Sequence, residues 1–278
     1  MLGKLLKYEF KSTSRVLWFL YAGLIAVALI LGLVIRVNIN VDDIYITQSA
    51  IQSSETMNLL MTILLSALGL IYMLLIYAIL ITTTVVIVMR FYKNMLGGEG
   101  YLMHTLPVKT SNLIISKLIT AFCWMVIAGL VVLISTVVLG LSSGIVTYVL
   151  RYASWDDIVK ELRTAMEFMG MNGFTFLVLM IVQTISGIII YYTSMAIGNL
   201  ANNHKFLFSV LAYVGITSVI AIIGSVVSVA GGMSFLEYNE FTGFMKYNLW
   251  SAVGIQAVIG VGGFFLTNYL LSKKLNLA

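Results

Sequence analysis

Few side chains in this sequence could do chemistry, and their spacing suits little of it. Asp42-Asp43 and Asp156-Asp157 are paired carboxylates, His104 and His204 are the two imidazoles, and Cys123 is the single thiol. Metal chemistry needs convergent ligands, such as a His-Glu-x-x-His pair on one helical face; here the histidines stand on separate polar segments. Intramembrane aspartyl chemistry needs carboxylates at membrane depth, whereas both aspartate pairs fall in polar stretches that read plainly as solvated loop. A lone cysteine gives neither an intrachain disulfide nor a redox pair. Serine nucleophiles are expected to find neither a Gly-x-Ser-x-Gly elbow nor a histidine at membrane depth to serve as base. No Gly-x-x-x-x-Gly-Lys-Ser/Thr phosphate loop occurs, so any ATP chemistry would reside in another chain.

What remains is one polar island, residues 90–109, RFYKNMLGGEGYLMHTLPVK. It holds the only proline (Pro107), one of the two histidines (His104), a Gly97-Gly98 break and a half-apolar segment, 99–106. A proline pushes the residue before it out of the helical region, so Leu106 fixes the exit direction. Tyr101, Leu102 and Leu106 have no core to enter on the water side, and exposed anchors of this kind mark docking surfaces. The island reads as a structured loop made to be gripped by another protein. A well-capped solvated turn is the alternative.

The elements that must position this island are membrane spans. The chain is 60% hydrophobic and 10% charged, with a mean hydropathy of +1.03, against roughly 25% charged residues in soluble proteins. Six apolar runs, at 16–35, 59–89, 112–139, 173–199, 207–230 and 249–271, are each long enough for a bilayer core of about 30 Å. The first continues past signal-peptide length without a small-x-small cleavage site and is expected to be a retained helix. The second, at about 46 Å of helix, exceeds the core. It must tilt or carry the island away from the lipid. Thr110 or Ser111 is expected to cap the third helix.

Between the spans, residues 1–15 place Leu2, Leu5, Leu6 and Phe10 opposite Lys4, Lys7, Lys11 and Arg15. That pattern suits a helix in the headgroup layer with its cations toward anionic lipid, or a solvated basic tail that orients the first span. Residues 140–172 form the longest outside segment. There Ser154 is an N-cap, and Ile158, Leu162, Ala165, Met166 and Met169 repeat at helical spacing, predicting a short amphipathic helix. With both termini inside, Lys4, Lys7, Lys11, Arg15, Arg90, Lys93, Lys109, Lys117, Lys205, Lys273 and Lys274 fall inside, eleven of sixteen basic residues. Of the acids, only Glu9 and Glu99 do. The positive-inside rule therefore sets the orientation, and the net charge of +5 is no nucleic-acid signature. The expected fold is an all-α integral membrane protein of six transmembrane helices, a single domain over 1–278, in the cell membrane.

Ion-coupled carriers keep charged residues within their helices. The six runs hold no acid, and Lys117 stands one turn into the third. Thr82-Thr83-Thr84, Gln183, Thr184, Ser186, Thr193 and Gln256 are the polar residues at depth, expected to bond between helices or back to a carbonyl. Energy for active transport would then come from a separate ATPase, with the island as its dock.

At residues 94–109, NMLGGEGYLMHTLPVK, followed by Leu113 to Leu118, the sequence resembles the permeases of the ABC-2 type transporter family of Gram-positive bacteria. The opening LLKYEFK before the first span is similar to that family's interfacial elbow helix. The resemblance implies that the 90–111 loop is a cytoplasmic coupling helix seated in a groove of the ATP-binding cassette subunit. Glu99, Gly100, Tyr101, Leu102, His104, Thr105, Leu106 and Pro107 would be the contacts, and Lys4, Lys7, Lys11 and Arg15 would lie on the elbow. It implies no cofactor in this chain, ATP and Mg being held by the partner ATPase, and a second permease copy or paralogue. Short permeases of this kind are similar to exporters of phenol-soluble modulins and antimicrobial peptides, and span interiors without fixed charge suit an amphipathic cargo. The expected function is thus a non-enzymatic export permease. The competing class is a membrane immunity or sensor subunit that binds a toxic peptide and acts through a partner.

Overall fold

The computed structural model describes the backbone of residues 2–38, 55–97, 100, 109–147, 154–201, 203–236 and 241–273. Six long helices order the chain: α1 (Leu2–Asn38), α2 (Glu55–Phe91), α3 (Thr110–Ser142), α4 (Trp155–Gly198), α5 (Lys205–Leu236) and α6 (Phe241–Lys273). A π-helical turn, Tyr92–Leu96, extends α2. Each helix contains a stretch long and apolar enough to cross a membrane: Leu17–Arg36, Ser66–Leu96, Thr110–Ser142, Gly173–Gly198, Lys205–Gly232 and Gly243–Lys273. The protein is therefore an all-α, multi-pass membrane protein. The six expected spans are found, and α2 contains the whole of the expected 59–89 run.

Two segments expected as separate helices are continuous with spans. Residues 1–15 were expected to form an elbow, yet α1 runs unbroken from Leu2 to Asn38. Between Lys4 and Tyr21 there is neither glycine nor proline to stop it. The polar interruption at Ser14 is absorbed locally, its hydroxyl donating to the Lys11 carbonyl at 3.0 Å. Likewise, the amphipathic segment after Ser154 is the first part of α4, 44 residues long. Ser154 does stand at its start, its carbonyl accepting from the Ile158 N–H at 3.1 Å. Gly170 and Gly173 each cost about 1 kcal/mol relative to alanine, too little to break a helix continued on both sides.

Two helix ends also differ from expectation. The Asn112 and Leu113 N–H groups both donate to the Lys109 carbonyl, at 2.9 and 3.4 Å. Lys109 thus holds the cap position, with Thr110 and Ser111 already in the first turn. Helix α5 reaches Leu236 and α6 begins at Phe241, so most of 231–248, the stretch between the fifth and sixth apolar runs, is helical rather than loop. Gly231 lets the two helices close on each other: an added Cβ there would strike the Tyr247 ring, whose hydroxyl donates to the Val227 carbonyl at 3.3 Å.

The chain divides into two compact units. One comprises Phe10–Val85 and Trp124–Leu162. Its α1 face is a stripe of Leu17, Tyr21, Leu24, Ala28 and Leu31, all buried at alternating spacings of four and three; this is the period at which helices interlock. Tyr21 shares a hydrogen bond with Thr83 at 3.1 Å, Tyr72 with Ser135 at 2.9 Å, and Trp124 lies against Phe10 and Tyr21. At Gly32 an added Cβ would collide with the Ser142 side chain, so α1 and α3 meet there at near-backbone distance.

The other unit comprises Met1–Glu9, Val86–Cys123 and Arg163–Ala278. Its centre is the last third of α4, where Ile188, Ile189, Ile190 and then Tyr192 through Ala196 are all buried. A helix buried on every side is the middle of a packed cluster rather than its edge.

Candidate functional site

The polar island is rooted in this second unit through the end of α2. There the Gly97 N–H donates to the Tyr92 carbonyl at 2.8 Å, one residue further back than in an α-helix. Such a π turn admits an extra residue and shifts the faces of the helix; these turns recur at functional sites. Here the shift lines up Phe91, Met95 and Leu96, which are 1%, 0% and 4% exposed, and leaves Lys93 outward. Gly97 closes the turn. An added Cβ would lie 2.9 Å from the Lys93 carbonyl oxygen, which explains glycine at that position.

Phe91 meets Tyr192 of α4 face to face, with ring centroids 3.8 Å apart and planes 8° from parallel. Tyr192 is itself 1% exposed, and its hydroxyl donates to the Lys117 carbonyl of α3 at 3.3 Å. One turn into α3, Lys117 is buried. The next residue on α4, Thr193, links to α6: its hydroxyl bonds with that of Thr267 at 2.9 Å and reaches the Gly263 carbonyl at 3.2 Å. Further along, Ser186 donates to Gln256 Oε1 at 2.6 Å. The base of the island is thus fixed to α4, and α4 is tied by hydroxyls to α3 and α6.

Beside this root lies a pocket of about 160 Å³ walled by Tyr191, Ser194 and Met195 of α4 and Phe206, Ser209 and Tyr213 of α5, with Val88 of α2 on its side. Tyr191 and Tyr213 stack at 5.0 Å. The turn that joins α4 to α5 is tight. Gly198 has no room for a Cβ against Ser209, and His204 takes a left-handed conformation, φ 55°.

Of the residues expected to contact an ATPase, Gly100 is described: it is buried, and its N–H donates to the Gly97 carbonyl at 2.8 Å. Glu99, Tyr101, Leu102, His104, Thr105, Leu106 and Pro107 lie outside the described residues. On α1, Lys11 is exposed; the side chains of Lys4, Lys7 and Arg15 lie outside the described set. The polar residues at depth behave as expected where described. Thr83 and Ser186 bond between helices, Thr84 and Thr184 donate back to the Leu80 and Met180 carbonyls, and Thr193 does both.

The letters Gly-x-Ser-x-Gly do occur, at Gly140-Leu-Ser-Ser-Gly144. A nucleophile elbow needs a strand-to-helix turn, whereas Ser142 ends α3 and its hydroxyl donates to the Val138 carbonyl at 2.7 Å. Phe91, Tyr192 and Thr267 were missed as site residues. The available signal was an aromatic-hydroxyl run, Tyr191-Tyr-Thr-Ser194, directly after the aliphatic Ile188-Ile-Ile190.

No protein-family model, curated protein or solved structure matches this chain.

Proposed function

We propose that this protein is the membrane subunit of an ATP-driven exporter, that its 90–111 island docks on a separate ATPase on the cytoplasmic side, and that its cargo is an amphipathic peptide. The observation that carries the reading is the rooting of the island. A loop that served only as a solvated turn has no need of a π turn with three buried residues at its base, or of a ring stack onto the most buried part of α4. A loop that transmits force between a motor and the spans needs both. Packed interiors pass on displacement because they are close-packed and resist compression.

Energy from a partner fits the composition of the spans. No acid lies within the six candidate spans, so proton or cation coupling has no carboxylate to work through. The hydroxyls within the packed unit bond between helices or back to a carbonyl of their own helix, which leaves apolar surfaces for an amphipathic cargo. The resemblance of residues 94–109 to ABC-2 permeases points the same way, with both termini cytoplasmic by charge and two permease copies serving two ATPase subunits.

The test is reconstitution. Purified with its candidate ATPase in nanodiscs, the complex should hydrolyse ATP faster when an amphipathic helical peptide is added. Stimulation by hydrophilic sugars or metal ions alone, with no response to peptides, would overturn the cargo assignment. Failure of any ATPase to co-purify would overturn the exporter assignment.

A further inference from the structure

The pocket beside the island's root takes no part in the coupling just described, and its chemistry specifies an occupant. Its hydroxyls bond within the wall: Ser194 donates to the Ile190 carbonyl at 2.7 Å, Ser209 to the Lys205 carbonyl at 2.9 Å, and Tyr213 to the Tyr191 hydroxyl at 3.4 Å. The wall therefore offers no polar surface. At about 160 Å³ the space is close to the size of a dry apolar cavity that takes benzene, and so accepts a chain segment of about six carbons. It is not sealed, because Phe206 and Val210 at its edge are exposed.

Depth decides what can enter. Tyr191 lies seven residues before the end of α4 at Gly198, and Tyr213 eight residues past the start of α5 at Lys205. At about 1.5 Å per residue, the pocket occupies roughly the first 12 Å below the ends of two spans, which is the upper acyl-chain layer of one leaflet. Above it the chain is basic. Arg90 and Lys93 follow Val88, and His204 and Lys205 precede Phe206, while residues 86–97 and 191–213 contain no aspartate or glutamate. An apolar slot below Arg90, Lys93 and Lys205 matches a molecule with an anionic head and a hydrocarbon tail.

We propose that this pocket is a binding site for an anionic glycerophospholipid, with an acyl chain between α4 and α5 and the phosphate at the level of Lys205. The site is independent of the export reading, since it needs neither the ATPase nor the cargo. A lipid held here would fill the space against Met195, three residues from Tyr192, and so brace the root of the island.

The test uses the full chain in nanodiscs containing phosphatidylglycerol or phosphatidylcholine with a diazirine in mid acyl chain, with labelled residues mapped by mass spectrometry. Phosphatidylglycerol should label Met195, Phe206 and Tyr213 at least about fivefold more than phosphatidylcholine, the preference expected of one basic residue near an anionic surface. Lys205→Gln should bring that ratio toward one. Val210→Trp, at the exposed mouth, should abolish labelling of Met195 and Tyr213 and spare Val258 on the exposed face of α6; Ser194→Met fills the slot from within and should do the same. Equal labelling by both headgroups, or labelling of the pocket no stronger than of Val258 and Phe265, would overturn the proposal. So would labelling by a diazirine-bearing amphipathic peptide with none by the lipid.

Discussion

Replacing the two stacked rings at the root of the island, singly and together, tests whether they act as a unit. Phe91→Leu and Tyr192→Leu keep most of the apolar bulk and remove the face-to-face contact. Both residues are 1% exposed with planes 8° apart, so the contact is shielded from solvent. A stacked aromatic pair contributes about 0.5–1.5 kcal/mol beyond its buried area, and the cycle should return a coupling energy in that range. Tyr192→Phe separates the other half of the interaction. It removes a hydroxyl bond to the Lys117 carbonyl and keeps the stack, at a cost of about 0.5–1 kcal/mol, low in the usual range because 3.3 Å is long for such a bond. The assay is equilibrium unfolding in mixed micelles followed by circular dichroism. Additivity of the two leucine substitutions within about 0.3 kcal/mol would show that the rings are neighbours without being a joint.

Two further predictions concern packing and topology. Gly263→Ala places a Cβ 2.8 Å from Ile189 Cγ2 and 3.1 Å from Thr193 Oγ1, and should destabilise by about 1–3 kcal/mol; Gly262→Ala, with nothing within 4 Å, should change stability little. Equal thermal shifts for the two would remove Gly263 from the α4–α6 contact. In a Cys123→Ser background, single cysteines at Ser53, Ser154 and Asn239 should react with an impermeant reagent on intact cells. Those at Ser12, Gly98, Asn203 and Ser272 should react only after permeabilisation, and reversal at any one site would break the six-span orientation.

The spans were legible because hydrophobic length is a one-dimensional property: about 20 apolar residues cross a bilayer whatever they pack against. The connections were less so. The polar residues that suggested separate segments at 1–15 and within 140–172 do not stop a helix, since hydroxyls bond within it and charged side chains project from it. The π turn at Tyr92–Leu96 left no mark because its cause is tertiary: the extra residue brings Phe91, Met95 and Leu96 onto one buried face. Thr193 was readable as a polar residue at depth, but its partner Thr267 sits near the end of an apolar run where a threonine is unremarked. The pocket depended on Gly198 and on the left-handed His204, which together fold α5 back along α4.

The claim that the island carries force from an ATPase into the spans is tested most directly at Tyr101 and Leu102. The measurement is pull-down of the candidate ATPase by the permease in nanodiscs, with peptide-stimulated ATP hydrolysis recorded on the same samples. Tyr101→Ala with Leu102→Ala should leave the permease inserted and folded, yet weaken the ATPase by about thirtyfold or more, the effect of losing an anchor worth about 2 kcal/mol. Phe91→Ala, at the root, should retain the ATPase and lose peptide stimulation. Normal binding and normal stimulated turnover in the Tyr101/Leu102 variant would contradict the account.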